Sequence, residues 1–262
     1  MDLGGFVGEP QTGRQVVARK PSKIPLMTAA PLPLVIAIDG PSGSGKSSVS
    51  MAVAQRLGLA YLDTGAMYRA LTWWCIEEGI DLDDQPAVAL AAKGLSLQMG
   101  TDPGSPSVHV SGVLIDDAIR ATKISELVSK VAVNPGVREE LRERQRALIA
   151  ESVQDCGGVV AEGRDITTVV APDADVRILL SAHQKTRLAR RAKELHGEAG
   201  HAEVTATHDQ IVRRDTDDST VSDFMEAAPG VTFIDTSHLD FNEAVQAVLT
   251  LIQTSRTEAR PN

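Results

Sequence analysis

Residues 34–48 read LVIAIDGPSGSGKSS, and their order decides the fold. The run Leu34 to Ile38 is short, apolar throughout and rich in β-branched residues, the pattern of a strand buried on both faces of a parallel sheet. A glycine-rich turn follows at once. Val49, Val53 and Leu57 then recur at i, i+4 and i+8, the stripe of an amphipathic helix from Ser47 to Leu57, with Gly58 where a C-terminal cap is expected. Between strand and helix, Gly40, Pro41, Ser42, Gly43, Ser44, Gly45, Lys46 and Ser47 satisfy G-x-x-x-x-G-K-[ST] in full. Such glycines let backbone N–H groups wrap phosphate oxygens, and the helix N-terminus adds partial positive charge. Lys46 is expected at the β- and γ-phosphates and the Ser47 hydroxyl on Mg2+. A cradle of this kind does not say where the phosphate goes.

Working outward, Leu59 to Leu62 predicts a second strand and Ala66 to Glu78 a second helix, with Met67, Leu71 and Trp74 on one side. Further strands are expected at Gly158–Ala161, Val176–Leu180 and Val231–Ile234. Helical patterns run over Lys123–Val133 and Val137–Glu151, broken near Pro135. Strands alternating with helices imply an α/β chain whose parallel sheet is covered on both faces. Two stretches interrupt it. Leu95 to Met99 alternates apolar and polar residues, and VHVSGVLI (108–115) reads as a hairpin turning at Ser111-Gly112, which together predict a small antiparallel insert. Residues 185–204, rich in Arg, Lys, Glu, His and Gly, read as a mobile helical flap.

The chain has 262 residues, 42% of them apolar, enough for a sizeable core. Its formal net charge of −9 argues against a general binder of nucleic acid or anionic membrane, which needs many basic contacts. No apolar run approaches the length of a membrane span. The two cysteines, Cys75 and Cys156, have no metal-ligand spacing and fit a reducing, cytoplasmic setting. Residues 1–33, with several Gly and Pro and no long apolar run, read as a disordered extension rather than a signal peptide.

Neither the Asn-Lys-x-Asp base reader of GTPases nor the Leu-Ser-Gly-Gly-Gln run of ABC-type ATPases occurs. Instead, arginines fall at strand ends and helix starts, where ligands sit in an open α/β sheet. In LDTGAMYR (62–69), Thr64 and Arg69 suit an acceptor phosphate, although a helix cap and a solvated charge are open alternatives. In VVAEGRDITTVVAPDA (159–174), Glu162 closes a strand where an acid can hold the magnesium hydration shell, and Arg164 and Asp165 follow. In RRDTDDS (213–219), Arg214 and Asp218 share a helical face, as a substrate site or as an i,i+4 pair.

Together these segments resemble bacterial cytidylate kinases, in order and with the family's spacing, from about Leu34 to Ile252. The resemblance implies γ-phosphoryl transfer from ATP to CMP or dCMP on a P-loop nucleoside monophosphate kinase fold with a five-stranded parallel core. It implies a kinase domain over 34–255, with core 34–92 and 156–255, a monophosphate-binding insert at about 93–150, a lid at about 185–205 and a tail at 256–262. Carried over by motif, Thr64, Arg69 and Arg164 would hold the acceptor phosphate. Ser129, Arg138 and Asp165 would read the cytosine edge, and Arg214 and Asp218 the ribose. Arg187, Arg190 and Arg191 would meet the transferring phosphates, with Lys46, Arg164 and Arg190 as the catalytic cations. Mg2+ would lie on Ser47 and, through water, Glu162. Arg120 also falls on a family arginine.

Two departures stand out. Val221 occupies the position of an arginine the family usually has, and Thr167 stands where glycine is common, a change expected to stay clear of the chemistry. Tyr68, Trp73 and Trp74 read as packing, and the arginines from Arg142 to Arg146 as a solvated helix face. His196 and His201 around Glu198 match no standard metal site. The expected partners are small molecules only, with the chain a monomer. Alternatives left open are a P-loop kinase for UMP, a purine monophosphate or a shikimate-like acceptor, a non-catalytic ATP-binding regulator, and a chain whose N-terminal extension adds a partner interaction.

Overall fold

The computed structural model of the chain describes residues 33–196, 215–216, 219–220, 222 and 224–258. Arg214, Asp218, Val221, Glu198 and His201 lie outside the described residues, as do residues 1–32 of the predicted extension and 197–205 of the predicted lid. In chain order the elements are β1 (Leu34–Asp39), α1 (Lys46–Leu57), β2 (Ala60–Asp63), α2 (Thr64–Glu77), α3 (Gln85–Gly94), β3 (Leu97–Gly100), β4 (Ser107–Val110) and β5 (Val113–Leu114). They continue with a 3-10 turn (Ala118–Arg120), α4 (Thr122–Ala132), α5 (Pro135–Cys156), β6 (Gly158–Gly163), one π turn (Ile166–Val170), β7 (Val176–Ser181), α6 (Gln184–His196), β8 (Thr232–Asp235) and α7 (Phe241–Glu258).

The five predicted core strands form one parallel sheet in the order β2-β6-β1-β7-β8. Alternation along β1 divides the core between the two faces. Ile36 and Ile38 pack with Val49 and Val53 of α1 and Val245 and Val248 of α7, whereas Ala37 faces Ile149 of α5 and Ile166. Full burial of each large aliphatic side chain contributes roughly 1.5–3 kcal/mol, which fixes the strand register that aligns the site. Asp39 pairs with Gly163 and Asp63 with Glu162, so β1, β2 and β6 end together at one carboxyl edge.

The expected antiparallel insert is a sheet in the order β3-β4-β5, and its hairpin turns at Ser111 (φ 51) and Gly112 (φ 80). Val108, Val110 and Ile119 of the insert share a core with Met67 and Leu71 of α2, Val88 of α3 and Leu141 of α5. Trp73 and Trp74 pack against this core, as the sequence suggested. The break near Pro135 is the start of α5, where the Asn134 side chain accepts from the amides of Gly136 (2.9 Å) and Val137 (3.3 Å).

Three expectations are corrected. The cap of α2 is Asp63, whose carboxylate accepts from the Ala66 amide at 2.9 Å, and Thr64 is the first helical residue. The arginines of α5 are not all a solvated face: Arg144 donates to the carbonyls of Ala92, Lys93 and Leu95, and Arg146 to those of Val169 and Val170. These bonds give partners to carbonyls at or just past the ends of α3 and the π turn, where helical acceptors run out; those of Ala92 and Leu95 also accept a backbone amide. Thr167, expected to stay clear of the chemistry, is 3% exposed and its hydroxyl donates at 2.6 Å to Asp39, the last residue of β1 before the P-loop.

Candidate active site

The P-loop runs from the end of β1 into α1 along the carboxyl edge. Gly45 precedes α1 in a left-handed conformation (φ 89) and supplies no side-chain cap, which leaves the first-turn amides of α1 for an anion. Gly43 also needs positive φ (74), and a Cβ there would lie 2.5 Å from the Arg187 carbonyl oxygen. The P-loop therefore lies directly against α6. Ser44 is 1% exposed, and its hydroxyl has no hydrogen-bond partner among the described residues.

A cavity of about 1060 Å³ opens over the P-loop, bounded by Arg190 and Arg191 of α6, Arg120 of the insert, and Thr236 and Phe241 beyond β8. A smaller lobe of about 80 Å³ adjoins it, lined by Thr64, Tyr68, Val128, Arg138 and Asp165. Both are lined by Lys46, Ser47, Asp63, Arg69 and Arg164. Three cations thus stand on the wall common to a P-loop cavity and a second, smaller site.

The shared wall also holds the acids. The Tyr61 hydroxyl donates to the Glu162 carboxyl at 3.0 Å. Burial, followed by the Asp63 charge, pushes Glu162 above the usual carboxylate range, while Lys46, Ser47 and Tyr61 restrain it. Burial acts the same way on Asp63, but Arg69, the Ala66 amide and Lys46 outweigh it and hold that carboxyl low. Ser47, Asp63 and Glu162 present hard oxygens beside the cradle. Among the described residues no group of three or more His, Cys, Asp or Glu could hold a metal by itself. That donor set fits Mg2+, which takes few protein ligands and completes its shell with substrate phosphates and water.

Apart from Arg214, which lies outside the described residues, the predicted arginines have definite positions. Arg69 pairs with Asp63 at 2.8 Å, Arg138 with Asp165 at 2.6 Å, and Arg164 donates to the Gly40 carbonyl at 2.6 Å while lying 4.9 Å from the Phe224 ring centroid. Arg187 does not line either cavity. It is 6% exposed and donates to Asp215 and to the Ser42 carbonyl, behind the P-loop. Arg190 lines the large cavity, but its guanidinium donates to the Ser44 and Leu239 carbonyls and to Thr236. Burial lowers its pKa against the opposing charge of Asp235. Thr64 lines the small lobe with its proton committed to the Glu162 carbonyl at 2.8 Å. Ser129 does not line the lobe, although Val128 and Ala132 beside it on α4 do. Tyr68 does line it, so its ring is not packing alone.

A family profile described as cytidylate kinase matches residues 36–254. The chain belongs to the cytidylate kinase family. Proteins named cytidylate kinase from Streptomyces avermitilis and Streptomyces coelicolor are 44% and 45% identical to it over 225 residues, 85% of this chain and 94% of each relative. A bifunctional pantoate ligase/cytidylate kinase from Synechococcus sp. WH7803 is 46% identical over 217 residues, 82% of this chain and 42% of that longer protein. The cytidylate kinase match begins two residues inside β1 and takes in the rest of the central sheet and the whole of the insert.

Several site residues were missed from sequence. Asp39 is 2% exposed and accepts from the Ile166 and Thr167 amides; burial, opposed by those bonds, pushes its carboxyl up to about 6. Asp215 accepts from the Ser42 amide at 3.1 Å and pairs with Arg187, with Arg164 3.8 Å away. Asp63 and Asp215 stood inside quoted motifs, but nothing in the spacing names their partners.

Proposed function

We propose that this chain transfers the γ-phosphoryl group of ATP to CMP or dCMP, yielding ADP and the cytidine diphosphate. Family membership supports this, and the observation that carries it in the fold is the wall of Lys46, Ser47, Asp63, Arg69 and Arg164 common to the P-loop cavity and the smaller lobe. In this reading the P-loop from Gly40 to Ser47, with Arg190 and Arg191, takes the donor. Thr64, Arg69 and Arg164 take the acceptor phosphate. Arg138 and Asp165, with Ser129 on the neighbouring helix, address the base; Arg214 and Asp218, outside the described residues, remain assigned to the ribose. Arg187 supports the P-loop from behind. Residues 34–255 act as one kinase unit, with the insert at about 93–150 and the lid at about 185–205.

A nucleoside monophosphate is already largely dianionic at neutral pH, its second pKa being about 6, so the attacking oxygen needs no general base. Repulsion between two polyanions is the difficulty. Lys46, Arg69 and Arg164 offset that repulsion and align the two phosphates, the dominant contributions in phosphoryl transfer. Ser47 and Glu162 would hold Mg2+, which when bound neutralises charge on the β- and γ-oxygens. Thr64 donates to a phosphate only by releasing the Glu162 carbonyl, and the two terminal nitrogens of Arg190 are both engaged with Thr236 and the Ser44 and Leu239 carbonyls. We place the chain in the cytoplasm as a monomer acting on small molecules.

An ADP-release assay on the full chain across CMP, dCMP, UMP, AMP, GMP and shikimate tests the reading. Turnover should be confined chiefly to the cytidine acceptors, and Lys46→Ala should lose at least about 10²-fold of it. ATP binding or hydrolysis without formation of a cytidine diphosphate would overturn it.

A further inference from the structure

Asp39 is a carboxylate at the end of a central strand, 2% exposed, and among the described residues no basic side chain pairs with it. Burial of such a group is costly unless its hydrogen bonds do something specific. Oδ1 accepts from the Ile166 amide at 2.9 Å; Oδ2 accepts from the Thr167 amide at 2.8 Å and the Thr167 hydroxyl at 2.6 Å. All three donors belong to the first residues of the π turn.

That turn is a single loop of backbone, closed by bonds from the Val170 amide to the Asp165 carbonyl (3.1 Å) and from the Ala171 amide to the Ile166 carbonyl (2.8 Å). One such turn has little stability of its own. It is gripped at both ends: Asp39 takes the amides, while Arg146 donates to the Val170 (3.0 Å) and Val169 (2.6 Å) carbonyls and Arg177 to the Thr167 carbonyl (3.3 Å). The two residues immediately before the turn are Arg164 and Asp165. Arg164 binds the carbonyl of Gly40, the residue after Asp39, and Asp165 pairs with Arg138 in the small lobe. Two adjacent residues at the root of the P-loop therefore anchor the segment that faces the acceptor.

We propose that Asp39 and Thr167 are positioning residues for the acceptor: through the π turn they hold Arg164 and Asp165 in fixed register with the donor cradle. This rests on the kinase reading above. A shift of about 1 Å between reacting groups can cost on the order of 10²-fold in rate, so such an anchor has leverage out of proportion to its size.

The test uses the full chain and the pair Thr167→Val and Thr167→Ser, with Asp39→Asn as a second probe of the same contact. Valine keeps the shape of threonine and removes the hydroxyl; serine returns it. Calorimetric Kd values for CMP and for ATP are measured beside turnover. Thr167→Val should weaken CMP about tenfold and leave ATP within twofold, Thr167→Ser should bind CMP within twofold of the wild type, and Asp39→Asn should follow Thr167→Val in direction. Wild-type CMP affinity in Thr167→Val, equal losses for CMP and ATP, or a serine variant as weak as the valine one would each overturn the assignment. Failure of the kinase reading shows separately, as absent CMP turnover in the wild type.

Discussion

Asp39 carries its charge at a cost that pH can reveal. Its carboxyl is pushed from 3.8 up to about 6, chiefly by burial, against the pull of Thr167 and Ile166. A value raised on folding means that the group's contribution to stability is present in full below about 3.8 and is lost as pH rises through about 6. Between pH 7 and pH 5 the wild type should gain about 1.4 kcal/mol relative to Asp39→Asn, read from urea unfolding of both proteins at the two pH values. A constant gap between them would remove Asp39 from this role. At this scale the sequence was uneven in what it disclosed. Lys46 and Ser47 were legible because a phosphate cradle demands a fixed order of residue types along a strand, turn and helix, and Glu162 because it closes a neighbouring strand at the same edge. Asp39 was not, because its partners lie 127 and 128 positions downstream and a carboxylate before a glycine turn has no spacing signature.

Elements were legible where a periodicity was long or a turn chemically specific. The five core strands, α1, α2 and the Ser111-Gly112 hairpin fell within a few residues of their expected bounds. Helix α3 was not foreseen. Its sequence QPAVALAAKG is apolar nearly all round and shows no polar face, although the Asp84 cap and Pro86 mark its start. The π turn escaped for a different reason: it is held by Asp39, Arg146 and Arg177 from three other elements, none of which the local sequence announces. Contact between α6 and the P-loop gives a prediction at this level. Gly43→Ala forces a side chain into the left-handed region, at roughly 1–2 kcal/mol, and against the Arg187 carbonyl. It should lower the melting temperature and raise KM for ATP by at least about tenfold, the loss of one well-placed phosphate contact. Unchanged ATP kinetics would mean that the helix gives way without disturbing the cradle.

Across the whole molecule, Asp215 joins parts that the chain order keeps apart. It binds the Ser42 amide, pairs with Arg187 of α6 and stands 3.8 Å from Arg164, so the P-loop, α6 and the wall between the two cavities meet on one buried carboxylate. Removing one partner of a buried pair leaves the other charge unsatisfied. Asp215→Asn should therefore destabilise the fold by about 3 kcal/mol in urea unfolding. It should also raise KM for CMP and ATP together, unlike the acceptor-selective loss expected at Thr167. The same economy recurs around the site, where Arg69 rests on Asp63, Arg138 on Asp165 and Arg164 near Asp215. Every guanidinium in that set lies within 3.8 Å of an internal carboxylate, so part of its charge is offset before a nucleotide arrives. Tight capture is thereby traded for easy departure, as suits a catalyst that must let go of two highly charged products on every cycle.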